Sequence, residues 1–234
     1  MQLAPPGSGF RDRYQVLLLD LIRVGHSDPQ AYSPATHATL DAYTNDLLDV
    51  MRALALHDAI FVGHSVGAMI GVLGAIRESR RFAKMVLMSP PPRFLNEAGY
   101  PGGFEQTNIN ELLAAMKSDY LGWDTGFVPV IMGPDERPEL VMEFTNSFVR
   151  TNPEIARHFA RVTFFSDRRA ALPFLSSPTL IVQSAHDVIA PLAVGQYLNE
   201  QLAASRLVVE TEGHCPHLSA PQITLATMVG FLNE

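Results

Sequence analysis

Ala59-Ile60-Phe61-Val62-Gly63-His64-Ser65-Val66-Gly67-Ala68-Met69-Ile70-Gly71 is the stretch whose reading decides the fold. An apolar, β-branched run enters a Gly-x-Ser-x-Gly turn and leaves as small residues suited to a helix. This pattern holds a serine on a sharp strand-to-helix turn with its hydroxyl exposed above a sheet, a nucleophile elbow. Gly63 and Gly67 are expected where side chains would clash as strand and helix pass close together. The five-residue spacing alone arises by chance in roughly one chain in twelve of this length. The flanking strand and helix therefore carry the inference.

Working outward, Gln15-Val16-Leu17-Leu18-Leu19-Asp20 reads as a buried parallel strand, a short apolar run ending in a polar residue. Leu40, Tyr43, Leu47, Val50, Met51 and Leu54 recur at helical spacing. A further strand, Lys84-Met85-Val86-Leu87-Met88-Ser89, stops at Pro90-Pro91-Pro92. Strands alternating with helices predict an α/β fold with a mostly parallel sheet flanked by helices. From about 93 to 175 no buried strand is legible, and the rhythm changes to helical stretches near 108–120, 121–133, 138–151 and 153–166, broken near Pro134, Pro138 and Pro153. The alternation resumes with a strand at 179–184, a helix near 191–202, a strand at 206–209 and a helix near 221–232. The middle stretch looks like a helical insertion, taken as 93–171, in a predicted core of residues 1–92 and 172–234.

Composition narrows the class. The chain has 234 residues, 47% of them hydrophobic, and a net charge of −7, which argues against a nucleic-acid partner. Arg77-Glu78-Ser79-Arg80-Arg81 reads as a solvated helix end. One cysteine and no signal-like start point to a cytoplasmic protein. Residues 59–76 carry no formal charge over 18 positions, near the lower length of a bilayer span. His64, Ser65 and four glycines interrupt them, so strand–turn–helix is the better reading and no membrane is expected.

A serine needs a base to take its proton, and the base needs an orienting carboxylate. On this kind of sheet they follow in the order Ser, Asp or Glu, then His. Asp187 lies in the turn after the 179–184 strand, and His214 follows the next strand directly after Gly213. Both sit beyond the C-terminal ends of strands, where open α/β sheets place their sites. Ser65 is the expected nucleophile, His214 the base and then acid, and Asp187 the orienter. His217 is the rival base, while His64 and His186 read as structural or solvent-facing. His214, Cys215 and His217 lack a second ligand pair, so neither metal nor cofactor is expected. Phe94, Phe104, Trp123, Phe127, Phe144, Phe148 and Phe164 are available to roof a cavity over Ser65, which suits a small, mostly apolar ligand.

Four further motifs sharpen this. Gly63-His-Ser-Val-Gly-Ala-Met-Ile-Gly71, Ser89-Pro-Pro-Pro-Arg-Phe-Leu-Asn96, Gly102-Gly-Phe-Glu105 and Glu212-Gly-His-Cys-Pro-His-Leu-Ser-Ala-Pro221 resemble one α/β-hydrolase subfamily. It contains the bacterial stress-response regulator RsbQ and the plant strigolactone and karrikin receptors. The resemblance runs from about Tyr14 to the C-terminus. It implies Ser65, Asp187 and His214 as the triad, a four-helix lid over 93–171, and Phe94, Phe104, Trp123 and Phe127 in the pocket. It also implies slow hydrolysis of a small apolar ester or lactone. A sensory role toward a protein partner, such as a regulatory phosphatase or other signalling protein, is the alternative it carries.

The same resemblance implies a first strand pair and a strand ending in His-Gly-Phe-Gly ahead of residues 14–20. Residues 1–13 hold only Gly7-Ser8-Gly9-Phe10 in that place. The N-terminal strands, including the oxyanion strand, are therefore expected to be missing, and the natural start to lie farther upstream. Of two oxyanion donors only the Val66 amide can be assigned, and turnover is expected to suffer.

Overall fold

The computed structural model describes residues 10, 12–22, 27, 29–120, 122, 131 and 152–234. Four strands pair in parallel in the order of the chain: β1 (Ala59–His64), β2 (Phe82–Met88), β3 (Thr179–His186) and β4 (Ser205–Glu212). Their side chains alternate between two cores, as a period of two residues demands. Met85, Leu87 and Ile181 join one cluster with α1 (Leu40–Ala53), α2 (Val66–Arg77) and residues of Leu192–Gln201. Val86, Met88, Leu180 and Val182 join another with Met228 and Phe231. Because both faces are covered at β2 and β3, those two strands read as continuous apolar runs rather than alternating ones.

Residues 59–76, weighed above as a membrane span, are β1 followed by α2. No described helix is long and apolar enough to cross a membrane. Between β2 and β3 the described helices are α3 (Gln106–Ser118) and α4 (Pro153–Phe164). Their starts are set locally. Glu105 and Asn108 form a reciprocal capping box on α3, and the Asn152 side chain accepts from the Glu154 and Ile155 amides ahead of Pro153 on α4. Arg93 and Asp167 meet in an antiparallel bridge with an ion pair of 2.7 Å, so the segment between them begins and ends at neighbouring points. The helices expected at 121–133 and 138–151 lie almost wholly outside the described residues. After β3 come α5 (Leu192–Gln201), then β4, α6 (Pro216–Ser219) and α7 (Pro221–Leu232).

One expected strand is corrected. Residues 15–20 are not in the sheet, and Val16, Leu17, Leu18 and Leu19 are 37–63% exposed. A parallel strand is made by its neighbours' hydrogen bonds, and the described sheet ends at β1 without one beside this segment. Its apolar composition suggests a buried strand, but composition supplies no ladder by itself, and neither the pairing nor the burial is found.

The elbow glycines also divide. A Cβ on Gly63 would lie 2.7 Å from the Ala68 Cα and 2.9 Å from its nitrogen, both backbone atoms that cannot rotate away. A Cβ on Gly67 would meet nothing within 4 Å, so the clash expected there is absent. Gly63→Ala is expected to cost about 3 kcal/mol through overpacking, whereas Gly67→Ala stays within about 1 kcal/mol of the parent. Denaturant midpoints of the two variants check this. Equal midpoints would contradict the close approach at Gly63.

Candidate active site

β1 delivers His64 to the sheet's C-terminal end, and the chain then turns sharply at Ser65. Ser65 has φ 52° and ψ −129°, a backbone conformation costly for a residue with a side chain. Its N–H bonds the Met88 carbonyl at 2.8 Å, which continues the β1–β2 pairing into the turn. Val66 opens α2, so its N–H is one of the first-turn donors a helix does not use itself.

The three residues picked out by order along the sequence meet in space. His214 Nε2 lies 2.8 Å from Ser65 Oγ, and His214 Nδ1 lies 2.9 Å from Asp187 Oδ2. A carboxylate only accepts, so Nδ1 carries the proton and Nε2 is left to accept from the serine hydroxyl. Asp187 is itself fixed: its Oδ1 accepts from the Ile189 and Ala190 amides, each at 2.9 Å. Burial pushes its carboxyl upward. The His214 hydrogen bond and charge, with the Ala190 and Ile189 amides, outweigh burial and hold it below the usual carboxylate range. Asp187 therefore stays ionised beside the imidazole. Its stabilising contribution is present above ordinary carboxylate pH and is lost only as pH falls through its depressed value.

His217, the rival base, sits elsewhere. Its ring is 4.8 Å from that of His64, and its Nδ1 is buried without a hydrogen-bond partner among the described residues. Burial first, and the neighbouring His214 second, push it down to about 4. His64, buried and flanked by His214 and His217, is held well below its ordinary value for the same reasons. Both imidazoles are neutral when folded but protonate near 6.5 when unfolded. Acid thus favours the unfolded chain: stability falls from about pH 6.5 and levels off for His217 below about 4. Melting temperature is expected to drop across that window, and His217→Gln to drop less steeply. Parallel slopes would show that His217 does not titrate this way.

Of the aromatics named above, Phe94 and Phe164 are buried against each other with ring centroids 4.8 Å apart, and Phe104 packs on Phe164 at 5.6 Å. The cluster includes Ile189 and Cys215, next to the Asp187 and His214 turns. Trp123, Phe127, Phe144 and Phe148 lie outside the described residues. His186 is exposed at the end of β3. Sequence reasoning missed the place of His64, which lies against His214: its Nε2 is 2.7 Å from the His214 carbonyl oxygen. Only its position beside Ser65 could have hinted at this.

Comparison with known proteins identifies the family. A model of the alpha/beta hydrolase family matches residues 3–227. The chain is 39% identical over 214 residues to a strigolactone esterase of Arabidopsis thaliana, covering 91% of this chain and 80% of the relative. It is 36% identical over 225 residues to a karrikin insensitive 2 receptor of Petunia hybrida, covering 95% and 83%. The structure of a hydrolase from Oleispira antarctica superposes with a TM-score of 0.93 at 33% identity, over 96% of this chain and 83% of the other. The family model spans nearly the whole chain and both relatives, at 39% and 36% identity, cover most of it, so the chain belongs to the alpha/beta hydrolase family.

Proposed function

We propose that this chain is a serine hydrolase of the RsbQ-like group that cleaves a small apolar ester or lactone through an acyl-enzyme. The observation carrying this is the continuous Ser65–His214–Asp187 hydrogen-bond chain at 2.8 and 2.9 Å, assembled from three separate turns of the fold. Ser65 Oγ attacks the ester carbonyl while Nε2 takes its proton. The Val66 amide is one donor to the oxyanion. As the tetrahedral intermediate collapses, Nε2 returns the proton to the leaving alkoxide, or to the ring oxygen of an opened lactone. Water, deprotonated by the same nitrogen, then releases the acid and restores Ser65. Asp187 holds the tautomer and offsets the imidazolium charge.

In this reading the insertion 93–171 acts as a lid and Phe94, Phe104 and Phe164 belong to an apolar pocket wall, for which Trp123, Phe127, Phe144 and Phe148 are further candidates from the sequence. Turnover of p-nitrophenyl acetate by the parent against Ser65→Ala tests it. Equal rates in the two would remove Ser65 from the chemistry.

One observation favours a second role. A relative 36% identical is named a receptor, so the pocket can serve a sensor that binds its ligand, turns it over slowly and engages a signalling protein such as a phosphatase. Trp123, the sole tryptophan, reports it: its fluorescence is expected to change as a small lactone binds Ser65→Ala. Tight binding with negligible parent turnover would favour the sensor; fast turnover would favour the enzyme.

A further inference from the structure

We propose that His64 is a positioning residue for the base: its Nε2–H holds the His214 carbonyl and thereby fixes where the His214 ring stands between Ser65 and Asp187. This rests on Ser65 and His214 acting as nucleophile and base. The 2.7 Å contact fixes the His64 tautomer, because a carbonyl oxygen can only accept, so Nε2 carries the hydrogen and Nδ1 does not.

His214 needs such an anchor. β4 ends at Glu212, Gly213 at φ 81° still donates its N–H to the His186 carbonyl at 2.9 Å, and His214 is the first residue beyond that pairing. After it, the His214 peptide is gripped on both sides. Its N–H donates to the Ile131 carbonyl at 2.8 Å, and its C=O accepts from His64. The His64 ring also packs against the His214 ring, with centroids 4.7 Å apart.

The location of His64 gives the contact its use. It is the last residue of β1, paired with Met88, and Ser65 is its chain neighbour. Nucleophile and base are 149 positions apart in sequence. Through His64, the loop bearing the base is referenced to the residue beside the nucleophile. The Oγ–Nε2 distance then depends on one short local unit rather than on the whole sheet. His214 and His217 face His64, with Asp187 beyond His214. Burial and the two imidazoles keep His64 neutral, so it holds this tautomer while His214 gains and loses its proton.

Three substitutions separate this from simple space-filling. Gln places its amide nitrogen three bonds from Cβ, as Nε2 is in histidine; Asn stops one bond short; Phe keeps a ring but donates nothing. His64→Phe and His64→Asn are expected to slow fluorophosphonate labelling of Ser65, and kcat for p-nitrophenyl acetate, by about 10- to 100-fold. KM should stay within about two-fold, since the loss is in alignment and not in binding. His64→Gln should stay within about three-fold of the parent. Space-filling gives the reverse order, Phe near the parent and Gln low, and that order would overturn the proposal, as would equal rates throughout. If His64→Phe shows no cooperative melt, the Asn and Gln pair decides alone. Persistent labelling of Ser65→Ala would instead overturn the nucleophile assignment on which the proposal rests.

Discussion

Ser65→Ala is expected to abolish covalent labelling by a fluorophosphonate and to lower p-nitrophenyl acetate turnover by on the order of 10⁴ or more. The substitution removes one oxygen and little else. Alanine must adopt the same φ of 52° as the serine it replaces, so the elbow keeps whatever strain it holds. The 2.8 Å contact to Nε2 is the only serine interaction the reaction uses. His214→Ala should lose labelling as completely, because an unassisted serine hydroxyl is a poor nucleophile. His217→Ala should label near the parental rate, since His217 is part of the wall behind His64 rather than of the relay. Intact-protein mass spectrometry reads all three. Labelling that survives in His214→Ala and disappears in His217→Ala would transfer the base role.

Asp187→Asn is expected to lower kcat by about 10⁴ while leaving the fold in place. The fold survives because an amide oxygen can still accept from the Ile189 and Ala190 amides that shape the turn. The chemistry fails because the side chain facing Nδ1 can now present an amide N–H. That forces the proton onto Nε2, where it meets Ser65 instead of leaving room for the serine's own proton. A cooperative melt at a somewhat lowered temperature, from loss of the ionised carboxylate's contribution, together with collapsed turnover is the expected pair of results. Parental turnover would show that the carboxylate is a structural cap of its turn and nothing more.

Much of this was legible because the residues concerned obey local rules. β2 and β3 announce themselves as short apolar runs, since both faces of the sheet are covered there and no polar alternation is needed; β1 is an apolar run too, although Val62 is exposed. Ser65, Asp187 and His214 were visible as residues just past strand ends, in the order that the fold dictates. Strand ends were less visible. β3 runs on through Ala185 and His186, and β4 through Glu212, because Ser184 pairs with Glu210 and His186 with Glu212 whatever their side chains. Residues 15–20 misled for the converse reason: the right side chains were present, but backbone pairing belongs to the neighbour and is not written in the segment. His64 was opaque because its partner is 150 positions away. No periodicity marks such a contact.

The exposed run Val16-Leu17-Leu18-Leu19 has a consequence for how copies of the chain treat one another. Four uncharged, apolar side chains lie in water on a chain whose described sheet ends in β1, where Val62 is also exposed. Such a stretch is a template for intermolecular pairing, restrained only by the charges that bracket it, Arg13 and Asp20. Light scattering is therefore expected to rise with concentration, and Leu18→Lys, which puts a charge where nothing is packed, to suppress that rise without moving the melting temperature.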